Sequence, residues 1–184
     1  MRDKVLSAAS QLFMELGYEP VSINMIADRA SVTKASVYYY FTNKADLFAM
    51  SVIEMMSRIR RRTFDLLEGE GSLKERVGRI ARTKLSRMHT DFESMMREAV
   101  PFLSEDQLRD IRIAEHGIHE VLAEAFHAGM QNGELAMGDP MLLSHAFSAL
   151  LMLGNREQLG DRKPSVEELA DMIVELFWNG AVRR

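Results

Sequence analysis

Between Thr33 and Phe41 the chain places a lysine, two hydroxyl side chains and three successive tyrosines within nine residues. Amines and hydroxyls of this kind hydrogen-bond to phosphates and base edges, while ring faces cover sugars and thymine methyls. On a helix, successive residues lie about 100° apart, so Tyr38, Tyr39 and Tyr40 cannot all face inward. Val37 and Phe41, four apart, form the inward pair, and Lys34, Ser36 and the tyrosines are left for a partner such as the major groove of DNA. The competing assignment, an aromatic core strip, needs all three rings on one side. A little further on, Asn43 is placed to cap a helix with Lys44 in its first turn, where backbone amides and an ammonium can together hold a phosphate.

A short helix can read a groove only if another holds it. Ser22 is a natural N-cap, and Ile23, Ile26, Ala27 and Ala30 recur at helical spacing behind it. The small Ala27 permits a close crossing. Ser31 and Val32 break the pattern, with Val32 expected to point into the core, and Thr33 caps the second helix. Two short helices and a tight turn form a helix-turn-helix.

These residues resemble the DNA-binding domain of the tetracycline-repressor (TetR) family of bacterial transcription regulators. A first helix like Val5-Leu6-Ser7-Ala8-Ala9-Ser10-Gln11-Leu12-Phe13, a Gly17-Tyr18 closure, and the run Tyr38-Tyr39-Tyr40-Phe41-Thr42-Asn43-Lys44-Ala45-Asp46-Leu47-Phe48 all match it, over about the first 50 residues. The resemblance implies DNA contacts from Ser22, Asn24, Thr33, Lys34, Ala35, Ser36, Tyr38, Tyr39, Tyr40 and Lys44. Family members usually carry a glycine where this chain has Ser31, so the backbone there must either avoid positive φ or tolerate it at a cost. Many also carry a basic arm ahead of the first helix. Met1-Arg2-Asp3-Lys4 leaves little room for one, and weak minor-groove readout is expected.

Composition agrees with an intracellular binding protein. The chain has 184 residues, 47% of them hydrophobic, no cysteine and a formal net charge of −4. Disulfides, thiolate nucleophiles and thiol redox sensing are thereby excluded. The negative charge lies mostly in the second half, while Arg58, Arg60, Arg61 and Arg62 form the densest basic cluster, read as a solvated or salt-bridged helix face. An acidic body is compatible with local positive charge at a reading surface and discourages indiscriminate binding. The start of the chain lacks the apolar run of a signal peptide, and the longest apolar stretch falls short of the roughly 18 residues of a membrane span. A cytoplasmic protein without membrane contact is expected.

Beyond the first domain the punctuation is helical throughout. Ser72 with Glu75, Ser104 with Gln107 and Ser165 with Glu168 fit capping boxes, and Asp139-Pro140 offers a cap followed by proline at the first helical position. Gly69 to Gly71, Pro101 and Asn132-Gly133 are stops. The expected fold is all-α, with about nine helices: a three-helix DNA-binding domain at 1–48, then a helical ligand-binding and dimerisation domain at 49–184, linked by a helix from about 44 to 67.

The helix from Leu142 to Leu153 is apolar nearly all round and must be covered on every side. The last helix carries an apolar stripe with Met172 and Trp178 off it. A homodimer interface built from Leu143, Phe147, Leu150, Leu151, Met172, Leu176 and Trp178 is expected, as the resemblance also implies, and it would present two reading helices to a palindromic operator of double-stranded DNA. The opposing reading is a monomer core with stray exposed side chains. A small-molecule effector site, which the resemblance puts in the second domain, is assigned to Met88, Phe92, Met96, Phe102, His116, His119 and Phe126; a Met and Phe stripe at helical spacing is equally the mark of plain core. His116 and His119 sit three apart near Glu115 and Glu120, but no third metal ligand is identifiable and neither metal nor cofactor is expected. Phosphate-binding glycine loops, nucleophile elbows and His-Glu-x-x-His are missing, so catalysis is not expected. The alternative is a helical ligand-binding adaptor that has lost DNA binding, a protein with no use for three outward tyrosines.

Overall fold

The computed structural model describes residues 1–86, 92–155 and 164–181, and these are helical with no strand. Nine α-helices occur among the described residues: α1 (Arg2–Leu16), α2 (Ile23–Ala30), α3 (Lys34–Tyr40), α4 (Lys44–Leu67), α5 (Leu73–Leu85), α6 (Phe92–Ala99), α7 (Glu105–Gln131), α8 (Pro140–Leu151) and α9 (Val166–Ala181). Short 3-10 turns follow α6 at Val100–Phe102 and α8 at Met152–Asn155. No helix among the described residues is long and apolar enough to cross a membrane.

The chain forms two compact units, one of residues 1–58 and 89–115, the other of residues 59–88 and 116–184. In the first, α1 buries Val5, Leu6, Ala8, Ala9, Leu12 and Phe13, the stripe its 3.6-residue period dictates. Phe13 meets Phe48 edge-on at 5.0 Å and stacks on Tyr18 at 5.8 Å, an aromatic knot at the base of the helix-turn-helix. Fully burying rings of this size contributes roughly 1.5–3 kcal/mol each.

The second unit is built round Phe126, Phe147 and Phe177, whose ring centroids lie 5.1–6.3 Å apart, with Leu73, Val77, Leu122, Leu151 and Ile173 packed about them. Gly129 lies so close to the Leu73 and Leu135 side chains that a Cβ there would overlap a Leu73 methyl. Its small size permits the approach of those side chains to α7.

Every cap expected from sequence forms. Ser22 accepts from the Met25 N–H, Thr33 from Ser36, Asn43 from Asp46 and Ser72 from Glu75. The boxes at Ser104–Gln107 and Ser165–Glu168 are reciprocal, and Asp139 Oδ1 accepts from the Met141 and Leu142 amides. Each such cap stabilises its helix by about 1 kcal/mol. Two details differ from the expected pattern. Val32 is half-buried, not interior, and Phe41 falls just past the end of α3 in extended backbone, though its ring is buried.

Candidate nucleic-acid interface

α3 is short enough that its whole inward face is one residue, Val37, with Phe41 completing the anchor immediately after the helix; both are buried. The remaining positions turn outward. Tyr39 is 81% exposed and Tyr38 48%, and Lys34 and Ala35 are also exposed, with Ser36 half-buried. The rings of Tyr39 and Tyr40 meet edge-to-face at 4.9 Å, and Tyr40 leans toward Phe41 at 6.3 Å. Tyr39 is thus braced at one edge while the rest of its ring faces solvent, and bracing restricts the rotamers that binding would otherwise have to freeze.

The turn ahead of α3 takes the strained option. Ser31 lies at φ 55°, ψ 48°, the sole non-glycine with positive φ among the described residues. Its N–H bonds to the Asp28 carbonyl at 3.1 Å, and the Val32 N–H to Ala27 at 2.9 Å, so the left-handed residue closes α2 as glycine does elsewhere. Thr33 then spends its hydroxyl on the cap, accepting from the Ser36 amide at 3.1 Å and lying 2.9 Å from the Ser36 Oγ. Ser22 is likewise engaged as a cap, whereas Asn24 is exposed.

Lys44 is the position where geometry adds most. It opens α4, yet its Nζ donates to the Glu19 carbonyl at 2.9 Å and sits 4.3 Å from the Tyr18 ring centroid. Desolvation lowers its pKa from the usual lysine value, and the nearby carboxylates of Glu19 and Glu98 partly oppose that. Its charge is therefore directed by the α1–α2 turn and is not swinging freely in solvent.

Sequence reasoning missed two residues here. The Arg2 guanidinium stands 5.8 Å from the Phe41 ring, which brings a cation beside the anchor of α3. Glu98 on α6 accepts from the Tyr18 and Glu19 amides at 2.9 and 3.3 Å. Neither has a local signal, since both contacts join segments far apart in sequence. Arg29 forms a fork on Glu15 at 3.1 and 3.3 Å, and that hydrogen bond raises its pKa.

The residues assigned to an effector site are split between the units. Phe92 and Met96 are half-buried in the first, where Phe102 is exposed and lies 5.3 Å from the Tyr18 ring. In the second, His116 is exposed and 3.8 Å from Glu120, while Phe126 is wholly interior within the aromatic core. His119 is half-buried, with Nδ1 3.0 Å from the buried Ser144 hydroxyl and its ring 4.0 Å from that of His145. Burial, then the charges of His145, Lys84 and His116, lower its pKa from 6.5 to about 4. Met88 lies outside the described residues.

Of the residues assigned to a dimer, Phe147 and Leu151 are interior and support their helix from beneath. Met172 and Leu176 are 57% and 60% exposed, Leu143, Leu150 and Trp178 half-buried, and Leu142 adds a further exposed apolar side chain. The α8 and α9 surface therefore leaves apolar area in solvent after the unit's own core is filled.

Residues 5–50 match the family described as "Bacterial regulatory proteins, tetR family". Over 52 residues the chain is 36% identical to the biofilm operon icaADBC HTH-type negative transcriptional regulator IcaR of Staphylococcus epidermidis. That match spans 28% of this chain and only 28% of the relative's length. Among solved structures the chain resembles reduced NemR of E. coli, with a TM-score of 0.80 at 21% identity over 98% of this chain and 97% of the other. It also resembles FadR of Bacillus subtilis in complex with stearoyl-CoA, with a TM-score of 0.75 at 20% identity over 98% and 99%. The two structures show that the fold extends over both units.

Proposed function

We propose, from the premise that this chain belongs through its amino-terminal domain to the tetR family of bacterial regulatory proteins, that it is a homodimeric repressor which binds a palindromic operator and is released by a small, largely apolar effector. The observation that carries the reading is α3: two buried anchors, Val37 and Phe41, hold Lys34, Ser36 and three tyrosines outward on a helix short enough to enter a major groove. The proposed contact set is Ser22, Asn24, Thr33, Lys34, Ala35, Ser36, the three tyrosines and Lys44. Ser22 and Thr33 serve mainly by capping, so their backbone amides and the start of each helix carry the phosphate contacts.

The apolar surface that Leu142, Met172 and Leu176 leave uncovered supports dimerisation. A two-fold pairing through α8 and α9 would repeat the reading helix across successive major grooves, about 34–36 Å apart, and so demand a two-fold symmetric site. Repression agrees with the negative regulation named for IcaR, and an apolar effector with the stearoyl-CoA held by FadR. An effector acts only through unequal affinity for the DNA-competent and incompetent conformations. Selection of bound duplexes from random DNA, using the full chain, tests the reading. A recovered two-fold symmetric sequence supports it; recovery of no sequence above background contradicts it.

A further inference from the structure

The turn that joins α1 to α2 is gripped from two sides by groups outside those helices. The chain leaves α1 through Gly17 at φ 83°, ψ 179°, a conformation essentially confined to glycine. Glu98 of α6 then directs Oε2 at two consecutive backbone donors, the Tyr18 N–H at 2.9 Å and the Glu19 N–H at 3.3 Å. Successive amides converging on one anionic oxygen form a small anion nest, and hydrogen bonds to a charged acceptor are roughly twice as strong as neutral ones. The carboxylate occupies the space that a side chain at residue 17 would need, since a Cβ built on Gly17 would lie 2.9 Å from Glu98 Oε2.

On the other side of the same turn, the Glu19 carbonyl accepts from Lys44 Nζ at 2.9 Å. The peptide after it leads into Pro20, which has no N–H to offer and restricts Glu19 to extended backbone. The Tyr18 ring lies beneath the Lys44 ammonium at 4.3 Å and is closed from α6's end by Phe102 at 5.3 Å. A continuous chain of contacts results: the α6 carboxylate fixes the two amides, the amides fix the carbonyl of the second, and that carbonyl fixes the ammonium at the start of α4.

We propose that Glu98 is a positioning residue for DNA binding, which acts through the Tyr18–Glu19 turn to hold the Lys44 ammonium at the N-terminus of α4. The inference rests on the reading of Lys44 as a phosphate contact. It has an unusual sign. Glu98 is an anion bound to the same turn that holds Lys44, so by long-range charge alone its removal would tighten binding to a polyanion. A positioning role requires the opposite.

The test is a double-mutant cycle on the full chain with a duplex recovered by selection, at fixed ionic strength. Glu98→Ala is expected to lower affinity about three- to tenfold, a coupling of ordinary size between residues in one network. Glu98→Gln, which keeps an acceptor oxygen but no charge, is expected to fall between it and the parent. In the Lys44→Ala background the same replacements are expected to change affinity by less than about twofold, because the residue being positioned is gone. Without DNA, the amide proton resonances of Tyr18 and Glu19 are expected to move upfield in Glu98→Ala and partly in Glu98→Gln, a readout available even if the alanine variant is poorly stable. Tighter binding, equal losses in both Lys44 backgrounds, or amide resonances that stay in place would each overturn the inference while leaving α3 as the reader. A parent chain that selects no duplex would overturn the DNA-binding reading and this inference together.

Discussion

Acidification is expected to weaken the second unit through His119. Its ring is half-buried against the Ser144 hydroxyl and His145, and every influence on it, burial first and then His145, Lys84 and His116, disfavours the imidazolium. The native pKa of about 4 lies below the ordinary 6.5, so between those values the unfolded chain binds the proton that the native one refuses. Stability therefore rises with pH across that window; the contribution is complete above the unfolded value and is lost as pH falls toward the native one. A sealed site with this displacement would be worth about 3 kcal/mol. The ring is only half-buried, and screening by solvent reduces the figure to about 1 kcal/mol, or about 2–4 °C in Tm for a chain of this size. Thermal unfolding of the parent and of His119→Gln at pH 7.5 and 4.8 isolates the effect, because changes common to both chains cancel. Because pH 4.8 crosses about two thirds of the window, the parent should lose about 1–3 °C more than the variant on acidification. Equal losses, or a His119 Cε1–H resonance that titrates near 6.5, would refute the reasoning.

Two further outcomes follow from local geometry. Ser31→Gly relieves a left-handed residue at a cost of roughly 1–2 kcal/mol and gives back part of the gain as unfolded-chain entropy, so urea unfolding should show a net stabilisation of up to about 1 kcal/mol; a loss of stability would contradict the strain. Leu176→Asp puts a charge on a side chain 60% exposed in the protomer. It should leave helix content unchanged while sedimentation shows a monomer at concentrations where the parent is a dimer, and a parent already monomeric would remove the proposed interface.

What could be read from the sequence was whatever a few neighbouring residues decide. The caps at Ser22, Thr33, Asn43, Ser72, Ser104, Asp139 and Ser165 involve partners two or three residues away, and the Val37–Phe41 anchor is a matter of helical period. Ser31 was legible only as a choice between two backbones, since nothing local forbids either; the left-handed one closes α2. The all-round apolar α8 could be recognised, but which of its side chains its own unit covers depends on α9 and the aromatic core. Phe147 and Leu151 went inward, while Leu142 remained out. Likewise the contact of the His119 and His145 rings and the grip of Glu98 on the Tyr18 and Glu19 amides join residues far apart in sequence, and no spacing in the chain announces them.

A single titration bears on whether α3 reads DNA. Fluorescence anisotropy of a labelled duplex recovered by selection would be measured with the parent chain and with Tyr39→Ala, at the same ionic strength and with dimer content checked for both. Loss of a braced ring at the groove should weaken specific binding by about 1–3 kcal/mol, roughly five- to 150-fold, with the dimer unchanged. Indistinguishable curves for parent and variant would contradict the assignment of this helix as the reader.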